Sequence, residues 1–296
     1  MSYLSLLLRV MNRRVVSFVA ITLALLMPLS LQAASASETA TSGTITGAGA
    51  HFAWVIFDAL KDELEKTTGK KIELFGKNSN LGMGCNAGIK LAQQNRHNHE
   101  TFGFVCCPLS QQEMDEKHIR IYPLADEPVL IIVNRKNPLT NLSKEQVRSI
   151  FRGDITNWKA VGGWDKPIVV VTRLHCKKRP GHWKTILPDA KDFVKQRLNV
   201  TSAAEMVKLV TQFETAFGHL GSTWEYGAKS NVKALRVDNV AATAENLKNK
   251  TYPFHRRLSA ITNMNPSKDV LKTIEQVQYG KSFEAIAKKY NLLPLN

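Results

Sequence analysis

Short, uninterrupted apolar runs alternate along this chain with segments of helical periodicity, and no other feature restricts the fold as much. "PVLIIVNR" and "PIVVVTR" are the length of buried strands, and "KKIELFG" and "TFGFV" are strand-like in the same way. Between them, "HFAWVIFDALKDELEKTTG" sets Phe52, Val55, Ile56, Ala59, Leu60 and Leu64 on one face and stops at Gly69, which predicts a helix. "LSKEQVRSIFRG", "SAAEMVKLVTQF" and the stretch from about Cys85 to Gln94 also read as helices. The pattern is that of an α/β chain with mixed sheets flanked by helices. Ligands in such folds bind where loops leave the carboxyl ends of strands, beside helix N-termini. "TGAGAHF", "GMGCNAG" and "VTRLHCKKRPGHW" fit that position, as does the loop after "TFGFV", where Cys106 and Cys107 stand side by side.

The first 36 residues read as an export signal: Arg9, Arg13 and Arg14, then the apolar "VVSFVAITLALLMPLSLQA", then small residues, with cleavage after Ala33 or Ala36. An uncleaved anchor is the alternative, because Val15 to Ala36 is uncharged and approaches the roughly 20 residues that span a bilayer. Nothing later is apolar enough to cross a membrane, so the expected location is the periplasm. Removing three of 40 Lys+Arg leaves 37 against 25 Asp+Glu, a net charge of +12. That favours anionic ligands or membrane headgroups, or simply solubility. No zinc-finger, basic-zipper or aromatic RNA-binding motif suggests a nucleic-acid partner.

The stretches "TGAGAHF", "FGFVCCPLS", "ADEPVLIIVNRKNP", "LSKEQVRSIFRGDITNWKAVGG", "PIVVVTR", "AFGHLG" and "YPFHRRLSAITN" resemble, in order and spacing, the periplasmic phosphate-binding proteins of ABC uptake systems. The resemblance implies the two-lobed periplasmic-binding-protein fold, with one solute closed in a cleft between lobes hinged by crossing strands. Lobe 1 is expected over 41–125 and 252–296, and lobe 2 over 126–251. It also implies a monomer that works with an ABC permease, or with a sensor kinase or redox partner.

Each ligand position that the resemblance carries over has changed, with one exception. His51 stands where the family's first loop places a Thr or Ser, and Cys85 where its second loop offers a Ser. Cys106 replaces the Asp that accepts the phosphate proton. After "PIVVVTR" the family has Arg followed by a Ser-Gly-Thr cluster; Arg173 survives, but "LHCKKRPGH" replaces the hydroxyls.

Phosphate needs strong donors and an acceptor desolvated together, and thiols are weak at both. The resemblance instead converges Cys85, Cys106, Cys107 and Cys176 on one cleft. Thiolates select soft metals, metalloids and iron–sulfur clusters, and His51, with His175 and His182 on the same loops, adds imidazole. Lys177, Lys178 and Arg179 offset thiolate charge or form a solvated loop. Copper or zinc, a trivalent metalloid such as arsenite, and an iron–sulfur cluster all remain open. So do two disulfides, the default for an exported protein, and unpaired thiols. An oxyanion receptor that keeps Arg173 is the rival reading, and a periplasmic electron carrier is the third.

His97, His99 and His118 read as surface residues, and His255 as structural. The absence of Cys-x-x-Cys, Cys-x-x-Cys-His and Gly-x-Ser-x-Gly argues for binding rather than catalysis. Adjacent residues of an extended segment point to opposite faces. The resemblance gives Cys106 the ligand position, so Cys106 is expected to be the primary ligand, with Cys107 either a second ligand in a turn made by Pro108 or a buried neighbour.

Overall fold

A computed structural model describes residues 43–75, 84–94, 100–176, 179, 181–224 and 230–295. The expected export signal, His97, His99, Lys177 and Lys178 lie outside the described residues. No helix among those described is long and apolar enough to cross a membrane.

The first half of the chain opens on strand β1 (Thr44–Gly49), a wide π-helical turn at Trp54–Asp58 and helix α1 (Lys61–Thr68). β2 (Lys71–Phe75), α2 (Cys85–Gln93), β3 (Glu100–Val105), α3 (Gln111–Lys117) and the 16-residue β4 (Ile119–Asn134) follow. The periodicity predicts one helix from His51 to Gly69, whereas the structure interrupts it. "FAWVIF" is apolar on every side and its start has no side-chain cap, so the wider turn buries Phe52, Ala53, Ile56 and Phe57 together. Gly69, left-handed at φ 70°, ends α1 as expected.

The next segment contains β5 (Asn141–Leu142), α4 (Lys144–Arg152), β6 (Val169–Thr172), β7 (Leu198–Asn199), α5 (Ala203–Gln212), β8 (Ala216–Gly221), β9 (Val232–Val237) and α6 (Ala244–Lys248). Reciprocal capping boxes, Ser143 with Gln146 and Ser202 with Glu205, start α4 and α5 where the sequence predicts helices. The chain returns through β10 (His255–Asn263) and ends with α7 (Lys268–Tyr279), α8 (Lys281–Tyr290) and β11 (Leu293–Pro294).

The strands form one 11-stranded mixed sheet whose main path runs β2-β1-β3-β10-β4-β8-β6-β7. β1 lies parallel to β2 and β3, while β10 is antiparallel to both β3 and β4. β4 joins two packing environments. Up to Ala125 it packs with a core that includes Phe52, Phe57, Phe102, Phe104 and Ile261. From Val129 onward its residues alternate, Val129, Ile131 and Val133 entering one cluster and Leu130 and Ile132 another. A strand covered on both faces loses the polar alternation of an exposed one, which explains the run "VLIIV".

Candidate functional site

The site begins with a close backbone contact. A Cβ built on Gly103 of β3 would lie 2.1 Å from Gly88 O, and one on Gly88 would lie 2.8 Å from Ala48 O and Phe104 N. Only glycine at both positions lets α2 rest directly on β1 and β3. That contact holds Cys85, the first residue of α2, over the end of β3. There the Cys106 N–H donates to Cys85 Sγ at 3.3 Å, and the two sulfurs stand 3.7 Å apart.

β3 ends at Val105 and the chain bends at Cys106 and Cys107. Both side chains are buried, and the Sγ atoms of Cys85, Cys106 and Cys107 lie within 4.8 Å of one another. A second triad, within the same limit, joins Cys107 to His175 and Cys176. Cys107 Sγ is 3.7 Å from His175 Nε2. The loop after β6 supplies His175 and Cys176 because Cys176 adopts a left-handed backbone at φ 54° and its carbonyl accepts from Arg179 N–H. Trp183 Nε1–H, donating to His175 O at 2.8 Å, pins the same turn. All four cysteines are free.

The thiols also shape one another's acidity. Hydrogen bonds from Cys107 and Cys85 bring Cys176 down to about 4, and those from Cys106 and Cys107 lower Cys85 against the cost of burial. Cys107 moves up, because it hydrogen-bonds Cys106, Cys176 and Cys85 and is itself buried. Thiolate character therefore sits on Cys85 and Cys176, with Cys107 as the proton donor.

A cavity of about 70 Å³ adjoins the sulfurs, lined by Cys85, Cys106, His51, Arg173, His219, Trp224 and Arg256 among others. Arg256, its side chain 10% exposed, pairs with the fully buried Glu127. Glu127 also accepts from the N–H of Thr223 at 2.7 Å and from its hydroxyl. Burial works to lower Arg256, but the carboxylate of Glu127 and the nearby thiols outweigh it and raise it. Arg173 has no carboxylate partner among the described residues. Its Nε–H donates to Thr201 O at 3.0 Å, and burial lowers its pKa while Cys106 opposes that.

His182 and His219 form a buried relay: Arg173 N–H meets His219 Nε2 at 3.5 Å, His219 Nδ1 meets His182 Nε2 at 3.1 Å, and His182 Nδ1 meets Arg256 Nη1 at 3.3 Å. The two ends each supply a hydrogen and the neutral rings supply two more, so three contacts already hold four hydrogens. No tautomer assignment removes the surplus. A further proton is excluded, and burial, with neighbouring positive charge, takes His219 down to about 3 and His182 well below its usual value. His51, edge-on to Trp54 and tilted against Trp224 at ring-centre distances of 5.1 and 4.4 Å, falls to about 4, mainly by burial.

These histidines give stability a pH dependence of definite sign. Their folded pKa values lie below the unfolded 6.5, so the unfolded chain alone takes up protons as pH falls beneath that value. The unfolding free energy from urea denaturation is expected to fall between pH 6.5 and 5, by roughly 2 kcal/mol for each fully buried histidine. His219→Gln should flatten that slope relative to wild type.

Of the residues singled out by sequence, the structure brings Cys85, Cys106, Cys107, Cys176 and His175 together. His51 and Arg173 line the same cavity without joining a triad. His182 has both ring nitrogens engaged, by His219 and Arg256. Arg179 forms a bidentate pair with Glu113. His118 and His255 are exposed. Sequence reasoning missed Glu127, His219 and Arg256, although a charge inside the apolar run "DEPVLIIV" was a visible signal for the first.

Residues 34–283 match the model of the PBP superfamily domain. The chain belongs to the PBP superfamily. Among curated relatives, the phosphate-binding protein PstS of Bacillus subtilis is 27% identical over 146 residues, covering 49% of this chain and 47% of the relative. The PBP chain spans about half the length of the curated relatives it matches. A phosphate ABC transporter substrate-binding protein from Clostridium perfringens, solved with bound phosphate, superposes with a TM-score of 0.70 at 24% identity, over 86% of this chain and all of that one. An ABC-type phosphate transport receptor from Vibrio cholerae gives 0.60 at 23% identity over 85% of this chain and 99% of its own. The two-lobed mixed α/β fold expected from sequence is the fold observed.

Proposed function

We propose that this PBP is an exported solute-binding protein whose cleft holds a soft metal ion on cysteine sulfur in place of phosphate. The observation that carries the reading is the convergence of four thiols and the His175 imidazole beside Arg173, a half-buried cation without a carboxylate partner among the described residues. The spacing supports a single ion at each edge. An ion about 2.3 Å from two sulfurs in tetrahedral geometry sets them about 3.8 Å apart, and Cys85 and Cys106 stand at 3.7 Å.

Charge favours a metal over a metalloid. Three thiolates around a trivalent metalloid are neutral and leave Arg173 without a counter-charge, whereas around copper(I) or zinc(II) they remain negative. A cubane iron–sulfur cluster places irons and sulfides between its thiolates, which fits poorly with sulfurs this close. Lobe 1 would span 41–125 and 252–296 and lobe 2 126–251, with β4 and the segment that leads into β10 crossing between them. The partners of such a receptor are an ABC permease in the membrane and a small ligand, and its compartment is the periplasm, reached through the N-terminal signal. Binding is the proposed role.

A second reading, an oxyanion receptor, is favoured by Arg173 alone. Protein purified without oxygen should carry a soft metal by elemental analysis, and Cys85→Ser, Cys106→Ser and Cys176→Ser should each lower the metal content while keeping wild-type circular dichroism. Metal-free protein with two disulfides by alkylation and mass measurement would overturn the proposal.

A further inference from the structure

We infer that the centre holds two ions rather than one, with the Cys107 thiolate bridging them: the first position is formed by Cys85, Cys106 and Cys107, the second by Cys107, His175 and Cys176. The inference rests on the metal reading above and deepens it. The five donors fall into two groups of three that share only Cys107, not into one group of four. A single tetrahedral site would bring four donors within about 3.8 Å of one another.

Each triad contains an edge of single-ion length. Cys85 and Cys106 are 3.7 Å apart, and Cys107 Sγ is 3.7 Å from His175 Nε2. An ion about 2.3 Å from sulfur and about 2.05 Å from nitrogen in tetrahedral geometry sets that second pair about 3.6 Å apart. The bridging thiol is the most enclosed of the four, 1% exposed, and sits where the bend after β3 places it between α2 and the loop after β6. A thiolate sulfur has lone pairs enough for two soft ions, and among the described residues Cys107 is the one sulfur common to both triads.

Charge selects the ions. Two divalent ions on four thiolates are neutral and leave Arg173 unmatched, whereas two monovalent ions leave a net negative centre for Arg173 to offset. Copper(I) is accordingly the probe, and each thiol that ligates it releases its proton to solvent.

Anaerobic titration with buffered copper(I) should load two equivalents per chain, with a metal–metal shell in X-ray absorption. Cys85→Ser and Cys176→Ser, which lie in different triads, should each retain one equivalent, and His175→Ala should weaken only the second. Cys107→Ala should do the most harm, losing both tight equivalents and the metal–metal shell, the reverse of the order expected from sequence, where Cys106 is primary. Circular dichroism on each variant separates lost ligands from lost folding. One equivalent in the wild type, abolished alike by Cys85→Ser and Cys176→Ser, would overturn the bridged pair and leave the metal reading standing. No copper bound at all would overturn both.

Discussion

Titrated with inorganic phosphate, the protein is expected to bind no tighter than about millimolar, a free energy of only about 4 kcal/mol. The cavity explains the weakness donor by donor. Arg256 is committed to Glu127, which also holds both donors of Thr223, so neither Arg256 nor Thr223 is free to grip an anion. His182 and His219 are neutral and bonded to each other. The residues that come closest to the resemblance's phosphate ligands, Cys85 and Cys106, offer thiols, which are poor donors and poorer acceptors of the phosphate proton. Arg173 alone cannot compensate the desolvation of a multiply charged anion. Isothermal titration calorimetry on metal-free, reduced protein gives the answer: a micromolar dissociation constant would restore the oxyanion reading.

Much of this architecture was legible because it rests on local patterns. Capping boxes at Ser143 and Ser202 and the glycine stops at Gly69 and Gly153 begin and end helices wherever they occur. The double apolar face of β4 leaves an unbroken run in the sequence. The meeting of the cysteines became readable only through the resemblance, since Cys85, Cys106 and Cys176 lie on three loops and nothing local joins them.

What was not legible depends on backbone direction. Three histidines sit on candidate loops, and which one reaches a sulfur is decided by the left-handed turn at Cys176 and the Trp183 hydrogen bond. The bend at Cys106 and Cys107 buries both side chains with Cys85. The alternation rule for extended chain does not hold past the end of β3. Glu127 and Arg256 read as charges on a strand and near a hinge, and only the register of β10 on β4, which pairs Arg256 with Glu127 directly, shows why each is there.

Replacing Glu127 by alanine is expected to lower stability by about 3 to 5 kcal/mol, the usual cost of stranding one member of a buried ion pair. Glu127 is 0% exposed, and its carboxylate answers three donors from two elements, the Arg256 guanidinium on β10 and the Thr223 N–H and hydroxyl just beyond β8. The strands are fitted around the pair: a Cβ on Gly221 would lie 2.4 Å from Arg256 Nη2 and 2.6 Å from Glu127 Oε1, so there is no room for the arginine to be resolvated in place. Losing the carboxylate leaves Arg256 with the neutral His182 ring as its remaining side-chain neighbour, which supplies no counter-charge. For a chain of this size each kcal/mol shifts the melting midpoint by about 2 to 4 °C, so a drop on the order of 10 °C is expected. Pairing Glu127→Ala with Arg256→Met removes the stranded charge and should recover part of the loss, because the pair's penalty lies in separation more than in absence. Urea denaturation of the two single variants and the double variant measures the coupling, and additive losses would show that the ion pair does not hold β4 to β10.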